Sequence, residues 1–269
     1  MHIHHIRNAT CVIEAGPHRI LVDPMLSGRA ELPPFSFIRF KARRNPLVDL
    51  PSGTDTLLDG VTHCLITHSQ TFGLKALQHI DHLDAKGEDF LKENNIPVIC
   101  RSADAAYLKK HGLPVAADIA YWQAYKFGEG RIVAVPARHG HGWNHRLMAN
   151  GAGYVIDLPH EPTLYISGDT VYTGDVRRVL EEYRPDVCIV AAGSAQIDLG
   201  PPILMSLEEV LAFTRDAPGT VVMNHLEALN HCPTTRAQLQ EGLGQNGLLE
   251  KAVIPADGET MVFEQGTAG

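Results

Sequence analysis

The chain has no apolar run near the roughly 18–20 residues that a membrane span requires. Its start, Met1-His2-Ile3-His4-His5, has neither the basic segment nor the apolar stretch of a signal peptide. Cysteine is scarce: Cys11, Cys64, Cys100, Cys188 and Cys232 make an odd total of five, and none forms a CxxC pair. A disulfide framework is not expected, and a reducing cytoplasm is the default location. Positive charge is in deficit, with 23 Lys+Arg against 31 Asp+Glu and a net charge of −8. That removes any global electrostatic case for nucleic-acid binding. Two catalytic signatures are also missing. No GxGxxG follows a strand pattern, so dinucleotide binding has no support. No GxSxG elbow appears, so a serine nucleophile has none either.

What the chain does have is histidine, 15 in 269 residues, gathered near the ends of apolar runs. Hydrophobic content of 44% and charged content of 20% are those of a globular protein with length enough for a core. Short apolar runs bounded by turn residues predict strands at Cys11–Glu14 and Arg19–Val22, joined as a hairpin through Ala15-Gly16-Pro17-His18. Further strands are expected at His63–Ile66, Val98–Cys100, Arg131–Val135, Gly153–Ile156, Thr163–Ile166, Val187–Val190, Thr220–Val222 and Thr260–Phe263. His2, His4 and His5 alternate with Ile3 and Ile6 as in a half-exposed first strand rather than a metal tract. Helical patterns cover Asp89–Asn94, Ser102–His111 with Ser102 as N-cap, Asp175–Tyr183, Leu207–Asp216 and Thr234–Asn246. Ser206 and Glu209 fit a capping box. Strands first, then alternating strands and helices, predict an α/β sandwich with helices on its outer faces. The segment from Ser27 to Gly53 carries four prolines and no sustained period. It reads either as a solvated surface loop or as a flap over a site, with three phenylalanines and the basic cluster Arg39, Lys41, Arg43, Arg44.

Candidate ligands share one position, the end of a strand. Asp23 follows Ile20-Leu21-Val22, His68 follows Cys64-Leu65-Ile66, and His139 follows Ile132–Val135 by a few residues. Asp169 follows Leu164-Tyr165-Ile166, and His225 follows Val221-Val222-Met223. Strand ends along one sheet edge converge, and imidazoles with carboxylates suit zinc, manganese or iron. His79-Ile80-Asp81-His82 adds two imidazoles and a hard oxygen ligand on one local turn. Near the same strand ends, one of His141, Trp143 and His145 could touch substrate, or the three could form a polar loop around a buried tryptophan. His231 could donate a proton or stabilise the turn before Pro233.

His68 and His79-Ile80-Asp81-His82-Leu83-Asp84 resemble the HxHxDH signature of the metallo-β-lactamase fold superfamily. The order of Leu21-Val22-Asp23-Pro24, Ala137-Arg138-His139, Ser167-Gly168-Asp169-Thr170 and Asn224-His225 is similar as well. The resemblance runs from about Ile6 to Phe263. It looks closest to the branch of L-ascorbate-6-phosphate lactonase and N-acylphosphatidylethanolamine-hydrolysing phospholipase D, with Arg7-Asn8-Ala9-Thr10, Arg44–Val48 and His225–Cys232 among the shared features. It implies a four-layer αββα sandwich over residues 1–269 as a single hydrolase domain. It also implies two divalent metal ions, zinc first, with manganese or iron as alternatives. His68, His79 and His139 would bind the first ion, Asp81, His82 and His225 the second, and Asp169 would bridge them. Asp23 would orient the cluster. The expected activity is hydrolysis of an ester, lactone or phosphodiester by a metal-bridged hydroxide, with Asp81 or Asp169 accepting a proton. The alternative is a non-catalytic metal-binding or regulatory protein with a damaged first site. The expected partner is a small-molecule or lipid-like substrate, for which the basic cluster suggests negative charge; association of identical copies is left open.

One departure bears on the first ion. The signature separates its first two histidines by one residue, whereas ten residues separate His68 from His79. If Ser69–Gln78 loops out, Thr67-His68 stays at its strand end and reaches the cluster. Gly73 helps such a turn, and loop closure adds little entropy cost. If instead the register runs back from Asp81, Leu77 takes the histidine position and the first ion loses a ligand.

Overall fold

Two seven-stranded sheets lie face to face with helices outside both, in the computed structural model, which describes residues 1–70, 78–146, 148 and 150–265. The first sheet contains β1 (His2–Arg7), β2 (Thr10–Ala15), β3 (His18–Val22), β4 (His63–Ile66), β5 (Val98–Arg101) and β6 (Val115–Ile119), with β14 (Thr260–Val262) at the edge beside β1. The second contains β7 (Ala124–Phe127), β8 (Gly130–Ala137), β9 (Gly151–Asp157), β10 (Leu164–Ile166), β11 (Val187–Ala191), β12 (Thr220–Asn224) and β13 (Ala252–Val253), paired in that order.

Each sheet begins as an antiparallel meander and continues in parallel pairs: β3 with β4, β4 with β5 and β5 with β6, then β10 with β11, β11 with β12 and β12 with β13. Parallel neighbours need crossovers, and these supply α2 (Ala85–Glu93) and α3 (Ser102–Lys110) on one side, α4 (Gly174–Tyr183) and α5 (Leu207–Asp216) on the other. The short α1 (Thr54–Leu58) and the later α6 (Arg236–Gln245) complete the outer layers.

Strand alternation builds three apolar strata. Ile3, Ile13, Ile20, Leu65 and Ile99 meet Ile132, Tyr154, Ile156, Leu164 and Ile189 between the sheets. The opposite faces, Val12, Leu21, Cys64 and Val98 in one sheet and Val133, Val155, Tyr165 and Cys188 in the other, pack beneath the helices. Burial on both faces explains why Val187–Ala191 is apolar throughout. The architecture is the expected αββα sandwich, and all five cysteines are buried and free.

The capping box joins Ser206 and Glu209 as the sequence indicates. Other details differ. The N-cap of α3 is Arg101, and Ser102 is already helical. β1 is largely buried rather than half-exposed, because β2 and β14 flank it. α1, β6, β7 and β13 are elements the sequence patterns did not indicate. α1 is a single turn, and β7 is mostly exposed, so it carries almost no apolar periodicity.

Candidate metal centre

The parallel pairing decides where the chemistry lies. β3, β4, β10 and β12 deliver Asp23, His68, Asp169 and His225 just beyond their C-terminal ends. β8 is antiparallel to β9, which is antiparallel to β10, so β8 runs with β10 and brings His139 to the same edge. The backbone there is strained: Asp23 and His225 adopt left-handed φ values of 44° and 59°, as does Asn8 at 58°. Asn8 secures two of the converging segments, donating from Nδ2 to the Asp81 carbonyl at 2.9 Å and accepting from the His225 amide at 2.9 Å.

His68 reaches the cluster despite its distance in sequence. The His79 amide donates to the Ser69 carbonyl at 2.9 Å, and Gln70 pairs with Gln78 in an antiparallel bridge. These contacts close a neck that brings the His68 and His79 rings to 4.5 Å between centroids. Asp104 of α3 pins the neck, accepting from Ser69 Oγ at 3.0 Å and Gln70 Nε2 at 3.2 Å. Gly73 and Leu77 lie outside the described residues. Behind the turn, a Cβ on Gly151 would come to 3.0 Å from His68 Cβ and the Thr67 carbonyl oxygen, so a side chain there would press on His68.

Two groups of potential ligands result. Ligand atoms of His68, His79 and His139 all lie within 4.8 Å of one another, and so do those of Asp81, His82, Asp169 and His225. Asp169 stands between the groups. Its Oδ2 is 3.2 Å from His82 Nε2, 3.5 Å from His139 Nε2 and 3.7 Å from His225 Nε2. Asp81 Oδ2 lies 3.8 Å from His225 Nε2.

Groups behind the rings fix which nitrogen faces inward. Asp23 accepts from the Thr67 amide at 2.8 Å, from Thr67 Oγ1 at 2.7 Å and from His82 Nδ1 at 2.9 Å. His139 Nδ1 donates to the Ile203 carbonyl at 2.9 Å, and His225 Nδ1 faces Cys232 Sγ at 3.4 Å. Thr67 Oγ1 lies 3.1 Å from His68 Nδ1. The opposite nitrogens, Nε2 of His68, His82 and His225, and also Asp169 Oδ1, are buried and hydrogen-bond no group among the described residues. Orphaned buried polar atoms are costly, and here they converge.

Electrostatics favours a cation in the same place. Burial pushes His68 well below the ordinary imidazole range, and His82 and His79 add to the effect. Burial likewise takes His79 down to about 4. Burial acts against the charged forms of Asp81 and Asp169, yet the surrounding histidines outweigh it and hold both carboxyls below their usual range. For His82 burial is outweighed by Asp169, Asp23 and Asp81, which hold its proton well above the ordinary range. The neutral imidazoles of His68, His79 and His225 with the buried carboxylates form the donor set of a borderline divalent metal, and a cation there would take the place of the His82 proton, so the residues fit such an ion.

The cluster floors a cavity of about 270 Å³ whose walls include Phe35, Ile80, Met148, Ile197 and Ile203, with His231 at one side. Phe35 belongs to the Ser27–Gly53 segment, so that segment does contribute to the site. The basic cluster does not line the cavity. Arg39 bonds Gln196 and the Gly200 carbonyl, Arg44 bonds the Ala30 and Glu31 carbonyls, and Lys41 and Arg43 border a separate depression beside Glu227. His141 also turns elsewhere, 2.9 Å from Glu209. Trp143 is 57% exposed, which corrects the reading of a loop around a buried tryptophan.

A family model described as the beta-lactamase superfamily domain matches residues 18–225. The UPF0173 protein YddR of Bacillus subtilis is 30% identical over 266 residues, spanning 98% of this chain and 100% of YddR. The chain belongs to the beta-lactamase superfamily, in the UPF0173 family. Other UPF0173 relatives bear the name metal-dependent hydrolase, among them one from Ruegeria sp. (strain TM1040), 26% identical over 67% of this chain and 68% of its own length. Among solved structures, an isothiocyanate hydrolase from Delia radicum gut bacteria is similar, with a TM-score of 0.85, 30% identity, and coverage of 98% of this chain and 100% of that one. A possible metal-dependent hydrolase from Veillonella parvula DSM 2008 has a TM-score of 0.87 at 26% identity, with coverage of 98% and 99%. This family membership accords with the metallo-β-lactamase fold and leaves the bond cleaved open.

Proposed function

We propose that the protein is a dinuclear metal-dependent hydrolase of small, neutral electrophiles bearing an apolar substituent, with isothiocyanates first and esters or lactones second. The observation that carries this reading is the convergence of two ligand groups at the floor of an apolar cavity. No lysine or arginine lines that cavity among the described residues, which disfavours a phosphodiester. Its volume of about 270 Å³ disfavours a long-chain lipid. Similarity to the isothiocyanate hydrolase over nearly the full length of both chains adds weight.

His68, His79 and His139 would hold one ion, Asp81, His82 and His225 the other, with Asp169 shared. Divalent ions bound there would supply Lewis acidity, lowering the pKa of coordinated water toward neutrality and polarising the bond under attack. Asp81 and Asp169, held ionised, can take up a proton from the attacking water. The apolar wall from Phe35 to Ile203 would hold the substrate's apolar substituent. His231, which burial lowers to about 4, enters neutral at pH 7, with one N–H to donate and one lone pair to accept. It can pass a proton to the leaving nitrogen or oxygen. For an isothiocyanate the balance is R–N=C=S plus water giving R–NH2 plus carbonyl sulfide.

A non-catalytic binding protein with a damaged first site is disfavoured by the grouping of His68 with His79 and His139. The test is turnover of phenethyl isothiocyanate, phenyl acetate and bis-p-nitrophenyl phosphate by metal-loaded protein. The reading expects the first substrate to be hydrolysed fastest, and His231→Ala to lower kcat by about 10²–10⁴-fold with metal content unchanged. Preferential phosphodiester cleavage would overturn the substrate class; absence of turnover on all three would overturn the enzymatic reading.

A further inference from the structure

We propose a separate transition-metal site on the outer face of the first sheet, formed by His2, His4 and Glu14. The pleat places His2 and His4 on one side of β1 while Ile3 between them enters the core between the sheets. The antiparallel register sets Glu14 of β2 directly opposite His2, so its carboxylate rises beside both rings. Glu14 Oε2 lies 3.4 Å from His2 Nδ1, and Oε1 lies 3.2 Å from His4 Nε2. One ligand atom from each of the three residues falls within 4.8 Å of the others. Ligands bound at about 2.05 Å to a tetrahedral ion stand about 3.4 Å apart, so small side-chain rotations complete the site.

His4 separates this arrangement from an ordinary surface ion pair. Its Nδ1 is 2.8 Å from Thr260 Oγ1 on β14, which sets the ring's orientation. Its Nε2 is buried and makes no hydrogen bond among the described residues, although Glu14 Oε1 is near. The residue itself is only 9% exposed. A charged His4 pairing with Glu14 would direct its N–H at the carboxylate. The observed ring instead has one nitrogen secured from behind and the other left for a ligand, the pattern of metal-binding histidines. Arg19 also hydrogen-bonds Glu14 Oε1, steadying the carboxylate and offsetting part of its field with a positive charge. The set therefore favours ions that bind imidazole strongly, Zn²⁺, Ni²⁺ or Cu²⁺, over Mg²⁺ or Ca²⁺. His2, half exposed, leaves the remaining coordination position to solvent. The ion would join β1 and β2 directly, and β14 through Thr260.

The test uses untagged protein whose catalytic cluster is already loaded, dialysed against graded free Zn²⁺ and analysed for metal content, with Cu²⁺ electron paramagnetic resonance in parallel. One further equivalent is expected, weakened at least about tenfold in both His4→Ala and Glu14→Gln. The Glu14→Gln variant, at a partly buried side chain, guards against misfolding of the variant at buried His4. The Cu²⁺ spectrum should show two coupled nitrogens in the parent and one in His2→Ala. No further equivalent in the parent, or uptake by Glu14→Gln and His4→Ala as tight as the parent's, would overturn the site. The catalytic metals are counted separately before titration, so failure here leaves the hydrolase reading untouched.

Discussion

Asp23 is held by three donors on three different groups, the Thr67 amide, the Thr67 hydroxyl and His82 Nδ1. It thereby aligns His68, through Thr67, and His82 directly. Replacing it with alanine leaves the His82 ring free to turn and the Thr67 amide unsatisfied. Metal affinity is expected to fall about 10–100-fold, read by competition with a chromophoric chelator; unchanged affinity would remove Asp23 from the alignment of the cluster. At this scale the sequence was informative wherever a polar residue ended an apolar run. Asp23, His68, His139, Asp169 and His225 all announce themselves that way. Asn8, the Ile203 carbonyl and Cys232 gave no such signal. Asn8 and the Ile203 carbonyl act across segments distant in the chain, and a carbonyl has no residue identity to read; Cys232 is only seven residues from His225 but ends no apolar run.

The Ser27–Gly53 segment shows how an element without regular structure can be ordered by side chains from elsewhere. Asp198 accepts from Ser36 Oγ at 2.5 Å and from the amides of Phe37, Ile38 and Arg39 at 3.0 Å. Asn230 accepts from the Phe35 amide at 2.9 Å and donates to the Ser36 carbonyl at 2.8 Å. Asp198 adjoins Ile197, so one carboxylate links two walls of the cavity. Asp198→Ala should raise KM several-fold for an apolar substrate with a smaller change in kcat, since Phe35 shifts while the metal cluster stays. A loss confined to kcat would contradict this role. The segment's irregularity was legible from its prolines, but its anchoring was not, because Asp198 and Asn230 lie far along the chain. The neck at Ser69–His79 has the same character. Its pairing of Gln70 with Gln78 has no apolar pattern to reveal it.

Across the whole molecule the alternation of strands and helices was sufficient to indicate layers, because each sheet face buries a different apolar set. The order of strands was less accessible, since β14 returns to pair with β1 across nearly the full chain. We propose that the two sheets fold as one unit, because the stratum between them draws on both and the metal cluster joins their edges. A single unfolding transition should follow. Removing tightly bound metal with a chelator should lower Tm by roughly 10 °C, given about 4 kcal/mol of linkage at thousandfold saturation and about 2–4 °C per kcal/mol. Two separated transitions in calorimetry would contradict the single unit.

The most direct measurement is the number of tightly held metal ions per chain, by elemental mass spectrometry after exhaustive dialysis, in untagged protein and in His68→Ala. Two ions in the parent and about one in the variant are expected, because the neck brings His68 beside His79 and His139, where it would serve as a ligand. Equal metal content in the two proteins would mean that His68 is a bystander, and metal in neither, even after reconstitution, would remove the basis of the hydrolytic mechanism.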